Sequence, residues 1–523
     1  MATEWGKIDV FGSGTLARGL SCRGAGSKVR FWFFAQVTPI DPLKALSDPS
    51  FCRIAGARLS GGNSVRLLID GPQTFSAWLE AIGHATVSVD LENYILQSDA
   101  TGARFAEALL AAAARGVKCR VLYDWLGCLT RTSRAFWKTL RQGGIEVCTY
   151  NRLRLSNPMH AISRDHRKVV CVDGVVAFTG GLCIGHDWMG DPARGIAPWR
   201  DTAIELRGPV VADIMAAFED SWAAAQDHAS PVHVVPVHAG VSRHAAAGEP
   251  DGGGVAVSVI AGRPGVMGLY RLEQLVAEVA QRSLWLTDGY FVATTAYVRA
   301  LTGAARSGVD VRLLVPGSSN WPVVGALSKS AYRPLIDAGV RIYEWNGPMV
   351  HAKTAVVDGC WTRIGSSNSN LASWITNREL DVTIEDHELA RQMEAAFERD
   401  ITNATEVVIG DSRTWLGKPV SLHGSSTDRH EREAGTAGKR LLSGAMAVGS
   451  TLSATFLYRR PLGPAESLVV LGGGVALVLL GIALIAFPHV FAWVFAVVAI
   501  WGGIDLALRA YRLWRSGAVE RGG

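Results

Sequence analysis

The pattern of apolar and polar positions repeats once along this chain. Val87 to Ile95 (VSVDLENYI) reads as a strand. An Ala-rich stretch follows, with Phe105, Leu109 and Ala112 on one helical face and Gly116 as a natural helix stop. Val117 to Asp124 (VKCRVLYD) reads as the next strand. The same order returns in Leu284 to Val292 (LWLTDGYFV), a helical stretch ending at Gly308, and Val309 to Gly317 (VDVRLLVPG). Strand, helix, strand implies a parallel pair joined by a right-handed crossover. Each unit then runs on to a short strand that is apolar on both faces, VVCV at 169–172 and TAVV at 354–357. The repeat predicts an α/β protein of two pseudo-symmetric lobes. Each lobe is expected to be a mixed, mostly parallel sheet flanked by helices, and the two to pack about a pseudo-twofold axis.

The same pattern divides the chain. Residues 1–60 carry no signal that assigns them. The lobes span 61–227 and 255–409, separated at 228–254 by a linker rich in Pro, Gly, Ala and His. His228, His233, His238 and His244 in that linker lack acidic or Cys partners at metal-ligand spacing, so a solvated segment is expected. A polar linker at 410–440 precedes an apolar tail at 441–523. Ser467 to Ile504 is free of Asp, Glu, Lys and Arg, long enough for two short membrane spans turning near Pro488 and His489. Arg459 and Arg460 before it and Arg509, Arg512 and Arg515 after it place both ends on the cytoplasmic side. The expected location is a bacterial inner membrane, with the lobes facing the cytoplasm.

Composition adds little. Of 523 residues, 48% are hydrophobic and 19% charged, an apolar excess that the tail partly explains. The net charge of +5 suits an anionic surface or phosphate substrate without requiring one. No basic stripe with interleaved aromatics marks a nucleic-acid interface, so no nucleic-acid partner is expected. None of the eight cysteines forms a Cys-x-x-Cys pair, which predicts buried free thiols rather than a disulfide or zinc framework.

The chemistry lies at the doubly apolar strands. HRKVVCVD (166–173) and HAKTAVVD (351–358) both read His-x-Lys-x4-Asp. On an extended segment residues two apart share a face. His166 therefore sits with Lys168, and His351 with Lys353, while Asp173 and Asp358 point the other way into a supporting network. Gly365, Ser366 and Asn368 follow the second motif as Gly-Ser-x-Asn, and Gly180 and Gly181 stand at that place in the first. If the two strands meet across the axis, two imidazoles and two ammonium groups converge on one phosphodiester. One imidazole then attacks phosphorus, the other handles the proton of the leaving alkoxide, and the lysines neutralise the non-bridging oxygens. No metal or cofactor is expected. Asp201 in WRDT and Glu379 in NRELD are candidates to orient the imidazoles, with one or both expected to bond the histidine of the opposite lobe.

These motifs resemble the phospholipase D superfamily, with the nearest likeness to bacterial cardiolipin synthases of the B type. HRKVVCVDGVVAFTGGLCIG, PWRDTAIELRGPVV, GVDVRLLVPG and HAKTAVVDGCWTRIGSSNSN carry the likeness, over about Val65 to Ile401. The resemblance implies two phospholipase D-like lobes acting on an anionic phospholipid at a bilayer. The implied reaction moves a phosphatidyl group between phosphatidylglycerols to make cardiolipin, with His166 as nucleophile and His351 as acid/base. A hydrolytic phospholipase D and a superfamily nuclease would use the same residues. Two departures stand out. Cys183 occupies the place of the expected amide in the first lobe, and the apolar segment is C-terminal, whereas many members carry theirs at the N-terminus.

Overall fold

The computed structural model describes residues 54–152, 163–226 and 254–408, together with the backbone of four short N-terminal strands. Those four, β1 (Glu4–Trp5), β2 (Asp9–Phe11), β3 (Thr15–Gly24) and β4 (Ser27–Gln36), form a small antiparallel sheet of their own. The linker histidines and the apolar tail lie outside the described residues. No helix among the described residues is long and apolar enough to cross a membrane.

The first lobe holds β5 (Leu59–Ile69), β6 (Ser88–Asn93), β7 (Lys118–Asp124), β8 (Glu146–Tyr150), β9 (Lys168–Val172), β10 (Val176–Gly180) and β11 (Thr202–Arg207). The second holds β12 (Val255–Gly262), β13 (Ser283–Asp288), β14 (Asp310–Pro316), β15 (Arg341–Trp345), β16 (Lys353–Val357), β17 (Trp361–Gly365), β18 (Glu379–Glu385) and β19 (Ala404–Glu406). Together they form a 15-stranded sheet, in the order β19-β15-β14-β13-β16-β17-β18-β12-β5-β11-β10-β9-β6-β7-β8. The order is the same in both lobes read outward from the central β12–β5 pair, apart from the extra β19.

Helix Ala100–Ala114 crosses from β6 to β7, and Thr295–Arg306 from β13 to β14. Both strand pairs are parallel, as are β7–β8 and β14–β15. All other neighbouring pairs in this sheet are antiparallel. The sheet is therefore mixed, but the expectation of a mostly parallel one is wrong. The reason is the Asp-Gly that closes each His-x-Lys-x4-Asp motif. Asp173 and Gly174 have φ of 54° and 67°, and Asp358 and Gly359 of 51° and 64°. Two successive positive φ values make a turn whose twist suits a hairpin. Val175 N–H closes it onto the Val172 carbonyl at 3.0 Å, and Cys360 N–H onto Val357 at 3.1 Å. Each motif strand thus doubles straight back as β10 or β17.

The same aspartates pin that hairpin to the next strand. The Asp173 carboxylate accepts from the N–H groups of Thr86, Val87 and Ser88 at 2.7–2.8 Å and from Thr86 Oγ1 at 2.9 Å. Asp358 accepts from Gln281, Arg282 and Ser283 N–H at 2.7–2.9 Å. Burial pushes the Asp173 pKa up, but the N–H groups of Ser88, Thr86 and Val87 and the Thr86 hydroxyl together outweigh it and hold the carboxyl below the usual range. Each aspartate fixes the register of the strand that carries the site, from the far end of that strand.

Among the described residues, three large apolar cores result, with a smaller cluster of Leu122, Tyr150, Phe218, Trp222 and Ala225 beside them. One lies within each lobe under the crossover helices. The third lies between the lobes, where Val169, Ile204 and Leu206 meet Val356, Ile364, Leu380 and Val382 beneath helices Val210–Gln226 and His387–Thr402. Burial of such side chains contributes roughly 1.5–3 kcal/mol each. The lobes are therefore fastened by a core, and a site between them rests on a rigid base. Of the six described cysteines, only Cys148 is not fully buried.

Asp358→Ala removes three N–H bonds from a buried carboxylate and puts alanine at positive φ. We expect a loss of about 2–4 kcal/mol, read as a thermal midpoint lowered by roughly 5 °C or more. An unchanged midpoint would show that the clamp carries no stability.

Candidate active site

The two motif segments meet at the seam between the lobes. Just before β9, His166 N–H donates to the Arg378 carbonyl at 2.9 Å, and Arg378 N–H to the Arg164 carbonyl at 2.8 Å. Just before β16, His351 N–H donates to the Arg200 carbonyl at 2.7 Å, and Arg200 N–H to the Met349 carbonyl at 2.9 Å. The next residue along each partner segment is the acid. His166 Nδ1 lies 2.9 Å from Glu379 Oε2, and His351 Nδ1 lies 2.8 Å from Asp201 Oδ2. Every histidine is thus gripped twice by the opposite lobe, once through its backbone and once through its ring.

Neither grip is loose. Glu379 also accepts from Ser366 Oγ at 2.6 Å and from Asn377 Nδ2 at 3.1 Å. Asp201 accepts from Trp188 Nε1 at 2.9 Å and from the Thr202 N–H at 2.8 Å. The arginines beside the acids are anchored too. Arg200 binds Asp400 at 2.8–3.0 Å, and Arg378 binds Asp220.

Both lysines are fully buried and donate to the carbonyl of their own motif histidine. An ammonium group has three donors, so this contact aims the nitrogen and leaves donors for an anion. Each lies near a tyrosine ring: Lys168 Nζ is 5.3 Å from the Tyr94 centroid, and Lys353 Nζ 5.8 Å from Tyr290. The same rings meet the imidazoles edge to face, Tyr94 at 4.9 Å from His166 and Tyr290 at 5.7 Å from His351. Trp188 and Trp199 complete the wall around His351 at 5.3 and 5.7 Å. These four aromatics were not read from the sequence. The tyrosines had a signal, because both follow the repeated strand (ENYI and DGYF), while the tryptophans had none.

Burial sets the protonation states. It depresses the pKa of His166, against the pull of Glu379, and takes His351 down to about 3, with Lys353 adding to the effect against Asp201. Burial also raises the carboxylates, but His351 and Lys353 more than offset this for Asp201, and His166 and Lys168 do so for Glu379. Both imidazoles are therefore neutral, with Nδ1–H donated to an ionised carboxylate and the Nε2 lone pair left for chemistry. Burial lowers Lys353 to about 8, in spite of Asp201 and Asp288 nearby. The lysines are not equivalent: Lys353 pairs across the sheet with Asp288, and Lys168 with the neutral Asn93.

The remaining motif residues fall in two groups. Ser366 is in the site through Glu379, while Asn368 donates its own backbone N–H to Ser373 Oγ at 3.2 Å. Gly365 and Gly181 give room to acids, since a Cβ on either would come within 2.2 Å of Asp381 or Asp201 respectively. At Gly180 a Cβ would lie 2.4 Å from the Thr202 carbonyl oxygen. Asp173 and Asp358 lie at the far end of the strands, about 17 Å from the motif lysines by strand rise, and hydrogen-bond neither histidine. Cys183 is buried, and burial raises its thiol pKa even with Lys168 and Lys353 nearby. Among the described residues no cluster of three metal-ligating side chains occurs.

A family model described as "Cardiolipin synthase, PLD-like domain" matches residues 78–187 and 276–401, one segment in each lobe. A cardiolipin synthase from Geobacillus sp. (strain WCH70) is 32% identical over 71% of this chain and 72% of its own. The chain belongs to the cardiolipin synthase family of phospholipase D-like enzymes. Cardiolipin synthase A of Pseudomonas aeruginosa is 33% identical over 72% of this chain and 74% of its own. Phosphatidylserine synthase from Haemophilus influenzae shares the fold, with a TM-score of 0.53 at 14% identity over 66% of this chain and 87% of that one.

With its pKa lowered by burial to about 8, Lys353 is expected to be partly neutral at pH 8. A bound phosphate anion favours the ammonium form, so binding should draw a proton from solution. Calorimetry with inorganic phosphate, in buffers of different ionisation enthalpy, should report net proton uptake at pH 8 that shrinks in Lys353→Gln. Zero uptake, or release, would contradict the assigned states.

Proposed function

We propose that this chain makes cardiolipin by transferring a phosphatidyl group from one phosphatidylglycerol to another, through a phosphohistidine. The observation that carries the reading is the reciprocal pair of cross-lobe dyads, His166–Glu379 and His351–Asp201, converging with two buried lysines.

In the first half-reaction His166 Nε2 attacks phosphorus, and the bond from phosphorus to the departing glycerol oxygen breaks. His351 gives that oxygen its proton, so glycerol leaves neutral. For this His351 must be protonated when substrate is bound. The diester anion and the Asp201 carboxylate together raise its proton affinity from the low value of the empty site. In the second half-reaction His351 Nε2 takes the proton of a hydroxyl on the incoming phosphatidylglycerol. The resulting oxygen attacks phosphorus, the phosphorus–nitrogen bond breaks, and His166 is restored. Lys168 and Lys353 neutralise the non-bridging oxygens in both steps. The two reactions balance as two phosphatidylglycerols giving one cardiolipin and one glycerol.

Transfer rather than hydrolysis is favoured by the aromatic wall. Tyr94, Tyr290, Trp188 and Trp199 surround the imidazoles with surface that disfavours water. The tail at 441–523 would hold the lobes at the bilayer that supplies both substrates. Its basic flanks favour the cytoplasmic face of a bacterial inner membrane.

The full chain in phosphatidylglycerol vesicles should yield cardiolipin and glycerol by mass spectrometry. His166→Ala should lower that yield by roughly a thousandfold or more while the thermal midpoint is kept. Phosphatidic acid as the main product would make the chain a hydrolase. Cardiolipin formation undiminished in His166→Ala would overturn the mechanism.

A further inference from the structure

The two dyads are built differently, and the difference follows from one missing side chain. In the second lobe Ser366 Oγ donates to Glu379 Oε2, the oxygen that also accepts from His166 Nδ1. Ser366 is itself held by Leu380 N–H at 2.9 Å. The matching residue of the first lobe is Gly181, by alignment of TGGL at 179–182 with IGSS at 364–367. Gly181 has no hydroxyl to give. A Cβ at that position would lie 2.1 Å from Asp201 Oδ1, so the shorter acid occupies the space a serine would need.

The missing donor comes from elsewhere. Trp188 Nε1 lies 2.9 Å from Asp201 Oδ2, the oxygen that also accepts from His351 Nδ1. Trp188 belongs to the short helix His186–Met189 and is 2% exposed. Its carbonyl lies where a Cβ on Gly71 would come within 1.9 Å, so helix Asp70–His84 is closely seated against it. Its ring meets the His351 ring edge to face at 5.3 Å and tilts against Trp199 at 4.7 Å. The indole is fixed by backbone on one side and by rings on the other.

We propose that Trp188 is the positioning residue for His351, doing for Asp201 what Ser366 does for Glu379. An indole N–H donates and never accepts, so it keeps Asp201 an ionised acceptor. Asp201 in turn keeps the His351 proton on Nδ1, and Nε2 faces the substrate as the atom that exchanges protons. The inference rests on the reading of His351 as the acid that protonates the leaving oxygen. It makes each donor specific to one histidine, Trp188 to proton transfer and Ser366 to attack on phosphorus.

The test separates those two events by the leaving group. Glycerol leaves as an alkoxide and needs a proton, whereas p-nitrophenol leaves without one. Trp188→Phe keeps a ring and removes the N–H. In single-turnover experiments with the full chain in detergent, we expect Trp188→Phe to slow glycerol release from phosphatidylglycerol by about tenfold or more, within the range of general-acid effects. Release of p-nitrophenol from phosphatidyl-p-nitrophenol should change by less than about threefold, because that step draws no general-acid assistance. Ser366→Ala should slow both donors alike. Equal slowing of both donors by Trp188→Phe, or slowing of neither, overturns the assignment. Should the phenylalanine variant fail to fold, benzothienylalanine at position 188 replaces N–H by sulfur at nearly the same shape and makes the same comparison. If the unaltered chain uses neither lipid donor, the lipid reading is what falls. The same variants are then compared on aryl and alkyl phosphodiesters without acyl chains, and the same two outcomes decide.

Discussion

The structure depends on the reciprocal grip that each lobe has on the histidine of the other. One carbonyl and one carboxylate, from adjacent residues of one segment, hold the backbone N–H and the ring Nδ1 of a single histidine. Two such points fix both the position and the rotation of an imidazole. The grip is made twice with the lobes exchanged, so neither dyad exists in an isolated lobe. The sheet that runs unbroken through β12 and β5 and the apolar core between the lobes hold both grips in place. A shift of one lobe by an ångström would break both dyads at once.

The site holds buried charge at a cost that only pairing offsets. Lys168, Lys353, Asp201 and Glu379 are all within 1% of full burial. The acids are stabilised by donors on nearly every oxygen, and the lysines by carbonyls and tyrosine faces. Two buried ammonium groups in one site suit the negative oxygens of a phosphodiester. The pseudo-symmetry is incomplete in an informative way. Asp288 beside Lys353 and Asn93 beside Lys168, Glu379 with Ser366 and Asp201 with Gly181 and Trp188, all give the two histidines different surroundings. A reaction that asks one imidazole to attack and the other to carry a proton has use for such a difference.

Much of this was legible before any coordinates. The repeated strand, helix, strand pattern gives β6–β7 and β13–β14 with their crossover helices, because period and length are local properties. The spacing His-x-Lys puts the two groups on one face, and the order of WRDT and NRELD after each motif singles out Asp201 and Glu379. Strand direction was less legible. An apolar run such as VVCV reports burial on both faces, and it is equally at home beside antiparallel partners. The Asp-Gly at 173–174 and 358–359 was the available hairpin signal. Trp188 and Trp199 were invisible because their roles are tertiary: Trp188 reaches Asp201 from a separate short helix, and Trp199 meets the His351 ring across the lobes. Tyr94 and Tyr290 lie inside the two repeated segments, just past the strand ends, where an aromatic in both copies was the available signal.

The most direct measurement is a crystal structure of the chain with orthovanadate, which takes up the five-coordinate geometry of phosphorus in flight. The account predicts one vanadium for the whole chain, bonded to Nε2 of one of His166 and His351, with Nε2 of the other hydrogen-bonded to the opposite apical oxygen and both lysines on the equatorial oxygens. Two vanadates in separate pockets, or one bound by a single histidine with the other ring turned away, would contradict a shared centre.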